Sequence, residues 1–424
     1  MTQREGVRIT YQVKLWRSGI VWSIFSFLGG LGNFAFNVIV SRQISTAEFG
    51  YFTNTLTGFV GFIGLPVLMV STALVHYIAH FRGQNDDARL QGLLAGSQEF
   101  LLKATIAGSV LAVILAQPLA HFLNFPNTAL MVAALVCVLI GWWSGFGVTL
   151  CQGMAWFKRM AVISLVAVGM RILFGWLVTK KFPTAEMTLS ATTFSLLANL
   201  VLLYWWKDIF RHGAERISPW NKEFLTFLTV SGAYVAGGWF FLSGDAMVAT
   251  KYFSPNDLGA YGVAGQLGRA IPSTVGPLIM VMFTSRSGGR KVQAATDQRI
   301  LLLLVGIGLA CGVIGLILFR HLLVKMFNHP GPQTAGMVIP FAITMAVMGL
   351  CQTVATWALA SRWLIVTILY GVAGLIYWLV LLYWGRTPAT LLHLMPLGAM
   401  AALAVLVAAW LWALRRQPPQ PLIG

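Results

Sequence analysis

The sequence predicts an all-α polytopic membrane protein with twelve transmembrane helices in two six-helix lobes. Composition, recurring apolar runs and the placement of basic residues predict it. Of 424 residues, 58% are hydrophobic and 10% charged, with a mean hydropathy of +0.77. A water-soluble domain carries about 25% charged residues. Apolar runs recur at roughly 18–40, 50–75, 104–123, 128–157, 160–179, 187–206, 224–250, 258–284, 300–319, 333–361, 363–385 and 389–414, each long enough to cross a bilayer. In hydrocarbon such runs must be helical, because every backbone group needs a partner within the segment. The short alternating strands of an outer-membrane barrel do not occur.

A net charge of +17 also fits a nucleic-acid binder, but its distribution follows the positive-inside rule, and no nucleic acid is expected as a partner. With a cytoplasmic amino terminus, 20 of the 29 Lys and Arg fall in segments predicted inside and seven in segments predicted outside. The other two are Arg171 and Arg269. Both termini are therefore expected in the cytoplasm, which requires an even number of spans. The first apolar run, about 23 residues, exceeds a signal-peptide core, and no small-x-small site precedes Arg42, so it reads as a retained span. Cys137, Cys151, Cys311 and Cys351 all lie within spans and read as buried small hydrophobes; the histidines show no ligand spacing, and no metal is expected.

The longest polar segments, about 76–103, 207–223 and 285–299, are all predicted inside, and the external loops are short. Segment 207–223 divides an N-terminal lobe (1–206) from a C-terminal lobe (224–424). The lobes resemble each other. Ser45-Thr46-Ala47-Glu48-Phe49-Gly50-Tyr51-Phe52 after span 1 matches Ser254-Pro255-Asn256-Asp257-Leu258-Gly259-Ala260-Tyr261 after span 7, at a constant offset of 209. Each reads as a helix start, with Ser as N-cap and the acid three residues on reaching back. Gly64-Leu65-Pro66 and Val275-Gly276-Pro277 put a proline at comparable depth in spans 2 and 8, and Phe157-Lys158-Arg159 answers Ser361-Arg362-Trp363. Six spans per half make this a parallel repeat about an axis along the membrane normal.

On the basic Lys14-Leu15-Trp16-Arg17 leading into a Gly/Asn-rich first span, and on the two repeated helix openings, the chain resembles the multidrug/oligosaccharidyl-lipid/polysaccharide (MOP) flippase superfamily. Within it the chain looks most like the Wzx-type O-antigen and exopolysaccharide flippases of bacteria. The resemblance implies two six-helix lobes in a V around a central cavity and alternating access. It implies an undecaprenyl-diphosphate-linked oligosaccharide as substrate, carried from the cytoplasmic to the periplasmic leaflet of the inner membrane. No reaction is catalysed in that reading.

Three full charges lie in apolar spans, where each costs roughly 2.5–3.5 kcal/mol to insert. Arg171 and Arg269 lie about eleven residues into spans 5 and 8, about 17 Å from the helix ends and near the midplane. A guanidinium suits a diphosphate through bidentate geometry; alternatively each arginine pairs with a carboxylate or helix carbonyls and locks the lobes. Gln266 shares the face of Arg269. Asp245, in span 7, has three readings: an ion pair with Arg269 or Arg171, proton or sodium coupling, or direct substrate contact. Asn33 and Asn37 share one face of span 1, as interhelical hydrogen-bonders or cavity lining; Gln152, Asn199 and Gln352 are lesser candidates of that kind. The basic loops serve as orientation signals, or contact anionic headgroups or a glycosyltransferase or polymerase of the same pathway. Otherwise no cofactor is implied.

The first rival is a multidrug and toxic-compound extrusion (MATE) antiporter of the same fold, whose organic cations want an acidic or aromatic cavity. The second is a polysaccharide polymerase or ligase, an enzyme expected to carry a large external catalytic loop. A major-facilitator transporter also has six plus six spans, but its loop signature is not found. Reporter fusions at Gly424 and within 207–223 are expected to report the cytoplasm; a periplasmic signal at either breaks the twelve-span topology.

Overall fold

The structure is a computed structural model that describes residues 24–84, 86–205, 222–287, 294–327, 331, 333–361 and 363–416. The predicted basic amino terminus, nearly all of the predicted linker 207–223, and Arg362 of the second repeat motif lie outside the described residues.

Those residues form helices and no strand. Span 1 is α1 (Ile24–Ser41). Span 2 is α2 (Thr46–Asn54), a π-helical turn (Thr55–Val60) and α3 (Gly61–Gln84). Spans 3 to 6 are α4 (Asp87–Phe122), α5 (Thr128–Gly153), α6 (Phe157–Lys181) and α7 (Ala185–Trp205). Span 7 is broken into α8 (Lys222–Leu242) and α9 (Gly244–Tyr252). Spans 8 to 12 are α10 (Pro255–Ser287), α11 (Ala294–Met326), α12 (Thr334–Ala360), α13 (Leu364–Trp384) and α14 (Pro388–Arg416). Among the described residues, eleven helices are long and apolar enough to cross a membrane. The twelfth predicted span, α10, is a 33-residue helix that carries Gln266 and Arg269 and is more polar than the others.

Several helices outrun the predicted apolar runs. The polar segment predicted over 76–103 is almost entirely helical: α3 continues to Gln84 and α4 starts at Asp87. Asp86 caps α4 by accepting from the Arg89 N–H at 3.0 Å, and Lys103 pairs with Glu99 one turn away at 2.9 Å. Polar residues there extend the helices rather than end them. Large apolar side chains such as Val113, Leu318 and Leu322 stand outward, as a lipid-facing surface requires. Cys311 is exposed on α11, unlike the other three cysteines, which are buried as expected.

The repeated helix openings form as caps. The Ser45 hydroxyl accepts from the Glu48 N–H at 3.2 Å, and the Ser254 hydroxyl from the Asp257 N–H at 3.3 Å. In the second opening the acid reaches back, with Ser254 donating to Asp257 at 2.7 Å. In the first it does not: Glu48 instead accepts from the Ala185 N–H at 2.6 Å and caps α7. The next turn of both motifs brings the two halves together. Gly50 of α2 and its repeat partner Gly259 of α10 lie backbone to backbone; a Cβ on Gly50 would sit 2.5 Å from the Gly259 nitrogen. Gly58 faces the backbone of α9 at Met247 in the same way. Asn54 ties the seam, donating to the Gly50 carbonyl at 2.9 Å and across to Leu258 at 3.3 Å. Toward the other end, α3 meets α8 through His76 stacked on Phe227 and Tyr77 against Phe224.

Gly259→Leu is expected to lower thermal stability by about 1–3 kcal/mol, because overpacking must push two backbones apart. Gly64→Leu, which has open space at its Cβ, is expected to leave the melting temperature of the detergent-solubilised protein near wild type.

Candidate functional site

The site is built on the break in span 7. Ser243, at φ −140° and ψ −18°, separates α8 from α9. The Ala246 N–H donates to Ser243 O at 3.1 Å instead of to Leu242, four residues back, so the Leu242 carbonyl is released from the helix ladder. An unpartnered carbonyl in hydrocarbon costs several kcal/mol. Arg269 supplies the partner, its Nε donating to Leu242 O at 2.9 Å. Its Nη2 pairs with Asp245 Oδ2 at 2.5 Å, and the Tyr261 hydroxyl donates to the same oxygen at 2.5 Å. Asp245 is fully buried, and the Arg269 side chain is 14% exposed. Each charge lies at the helix end its sign favours: the cation at the last carbonyls of α8, the anion in the first turn of α9. Trp378 closes the break, its Nε1 donating to Gly244 O at 3.1 Å. Of the three readings of Asp245, the ion pair with Arg269 is the one this geometry contains.

Arg171 has a different environment. Its Nη1 donates to Asn33 Oδ1 at 2.7 Å, and its guanidinium lies 4.3 Å from the centre of the Phe36 ring. Phe36 in turn covers Gly175, one turn beyond Arg171, so α1 and α6 approach closely. No carboxylate lies within ion-pair distance of Arg171 among the described residues. Two buried polar atoms on these side chains have no protein partner: Arg171 Nε, a donor, and Asn37 Oδ1, an acceptor. Asn37 Nδ2 donates to the Asn33 carbonyl at 2.9 Å and, over a long 3.4 Å, to Gln266 Oε1.

The residues singled out in the sequence thus form one polar track. It runs from Arg171 on α6 through Asn33 and Asn37 on α1 to Gln266 on α10, one turn before Arg269 and its partner Asp245. The Asn37–Gln266 bond joins the two halves. The lesser candidate Asn199 serves packing, donating to Ser144 across α7 and α5 at 2.9 Å.

Sequence reasoning missed Tyr261, Phe36 and Trp378. Tyr261 was within reach: it lies eight residues before Arg269, close to two helical turns, and so shares its face. Phe36 and Trp378 carry no such signal, because rings of their kind recur throughout the spans. The break at Ser243 has no proline to announce it.

No family model and no curated protein sequence matches the chain. Solved structures match along nearly its whole length. One is an outward-facing multidrug resistance MATE family transporter of the MOP superfamily, with a TM-score of 0.68, 15% identity, and coverage of 94% of this chain and 95% of that one. Another is the eukaryotic MATE transporter AtDTX14, with a TM-score of 0.72, 13% identity and 96% of each chain covered. A third is a MOP superfamily transporter from Pyrococcus furiosus, with a TM-score of 0.68, 14% identity, and coverage of 94% and 95%. The fold is that of the MATE transporters of the MOP superfamily. Its neighbours are transporters and not enzymes.

Replacing one member of the buried pair leaves the other charge unpartnered, so Asp245→Asn and Arg269→Ala are each expected to cost about 3–5 kcal/mol in stability. The double variant Asp245→Asn/Arg269→Met is expected to regain much of that loss in thermal unfolding. A double variant no more stable than the single ones would show that the ion pair is not the cause.

Proposed function

We propose that the protein is a flippase that moves undecaprenyl-diphosphate-linked oligosaccharide from the cytoplasmic to the periplasmic leaflet of a bacterial inner membrane by alternating access. The observation that carries this reading is Arg171: a half-buried guanidinium in a membrane span with no carboxylate partner among the described residues. A cation in that position is stabilised by an anion that comes and goes. A phosphate offers bidentate acceptors to the guanidinium. The lipid tail stays in the bilayer while the head crosses.

Arg269 has a lesser part in this reading than its depth in the sequence implies, because Asp245 already neutralises it. Gln266, bonded to Asn37, carries the state of the first half to α10. Coupling to a proton or sodium gradient through Asp245 requires the ion pair to open during the cycle. Membrane lipids, and glycosyltransferases or a polymerase of the same pathway, are the partners this reading calls for.

The second reading, a MATE-type cation-coupled multidrug antiporter, is favoured by the multidrug transporters among the structural neighbours. A cationic drug wants an uncompensated acid, whereas the embedded acid here is matched by Arg269 and the surplus charge is Arg171. The Pyrococcus furiosus transporter is described as having a binding pocket of reversed polarity that suggests a different function, so this fold accommodates a change of that kind.

Arg171→Ala is expected to abolish glycan export in cells that depend on the protein, while membrane insertion and melting temperature stay near wild type. Arg171→Lys is expected to restore part of it, since charge survives but the bidentate fork does not. Wild-type export by Arg171→Ala, or drug efflux without any effect on glycan export, would favour the multidrug reading.

A further inference from the structure

At the end of the C-terminal half where α9 and α13 stop, an open groove of about 520 Å³ runs along α13. Its floor is apolar, formed by Ile376, Leu379 and Val380, and its rim holds Tyr252, Tyr383 and Arg386. The volume falls in the range of sites that hold small ligands. Ile376 and Leu379 are about half exposed, so the floor is open to whatever fills the surrounding hydrocarbon.

The rim carries one cation, Arg386, and Lys251 stands next in sequence to the rim residue Tyr252. The Arg386 guanidinium lies 5.9 Å from the ring centres of both Tyr252 and Tyr383. The Lys251 ammonium lies 5.7 Å from the same Tyr252 ring and 3.9 Å from Phe122. Two cations therefore share one phenol ring, and neither has a carboxylate within ion-pair distance among the described residues. The nearby Asp257 is occupied by Ser254 and Gln333. Two cations around one phenol ring beside an apolar surface attract an anion. Orientation does not account for them either, because the charge bias puts this end on the side where cations are scarce.

We propose that the groove binds an anionic phospholipid, with one acyl chain along Ile376, Leu379 and Val380 and the phosphate at Arg386, on the Tyr252 side where Lys251 adds a second positive charge. The tyrosines and Trp384 mark the depth at which a headgroup lies. Bound there, the lipid joins the end of α9, the half-helix that begins with Asp245, to the end of α13. The Lys251 carbonyl also accepts from Asn124 of the N-terminal half at 3.1 Å, so the lipid sits at a junction of the two halves. The site stands under either functional reading.

The test uses the full chain in nanodiscs containing either phosphatidylglycerol or phosphatidylcholine with a photoactivatable diazirine in one acyl chain. Adducts are mapped by peptide mass spectrometry. Phosphatidylglycerol adducts on 376–384 are expected to exceed phosphatidylcholine adducts by at least about fivefold, the effect of roughly one interfacial basic residue. In the Lys251→Gln/Arg386→Gln variant, checked for a wild-type melting temperature, the ratio is expected to fall toward one. Equal labelling by the two lipids in the wild type, or an unchanged ratio in the folded variant, overturns the proposal. Displacement of the label by farnesyl diphosphate but not by unlabelled phosphatidylglycerol also overturns it, reassigning the groove to an isoprenoid diphosphate. If the double variant fails to fold, Arg386→Gln is measured by itself, and a ratio that does not fall counts against the site.

Discussion

The released carbonyl of Leu242 is the constraint around which the C-terminal half is arranged. A helix broken inside a membrane leaves backbone groups that water cannot satisfy. Arg269 answers one of them, and the charge it brings has to be balanced in turn by Asp245. Asp245 sits where the start of α9 favours an anion and where Tyr261 gives it a second donor. One irregularity in span 7 therefore fixes the relative positions of α8, α9 and α10. Trp378 adds α13, and Phe341, 5.6 Å below the guanidinium, adds α12. Removing any one of these groups exposes the deficit of another.

This arrangement divides the labour between the two arginines. Arg269 is neutralised within its own half and works for the fold. Arg171 is held by an amide oxygen and an aromatic face, neither of which cancels its charge. Of three charges embedded in the spans, two balance and one is left over, on α6, from which Asn33 and Asn37 lead across to Gln266. The backbone contact at Gly50 and Gly259 brings the halves close enough for that crossing to exist. A pathway for an anionic headgroup needs both features: a surplus cation, and a polar route from one half to the other.

Much of this was legible in the sequence. Hydropathy gave the helices, since long apolar runs have no other stable form in lipid. The repeated Ser-x-x-acid openings were legible because capping is local, and both serines cap as expected. The destination of Glu48 was not, because the Ala185 N–H it meets is 137 residues away. Charge in an apolar span is rare enough that Arg171, Asp245, Arg269 and their amide neighbours all stood out, and they do lie along one track. What periodicity could not say is which arginine Asp245 would choose. That choice follows from the break at Ser243, where backbone geometry, set by packing against Trp378 and α10, decides the matter. The polar segment over 76–103 is helical although it falls between the predicted spans, for a related reason: polarity marks the edge of the membrane, whereas the end of a helix is marked by its cap.

The central claim is that Arg171, and not Arg269, offers its charge to a phosphate-bearing lipid. The most direct measurement is the affinity of the purified protein for an isoprenoid diphosphate such as farnesyl diphosphate, compared between wild type and Arg171→Ala. The account predicts at least about a tenfold weaker Kd for Arg171→Ala, equivalent to about 1.4 kcal/mol, at an unchanged melting temperature. An unchanged Kd in a well-folded Arg171→Ala protein would contradict it.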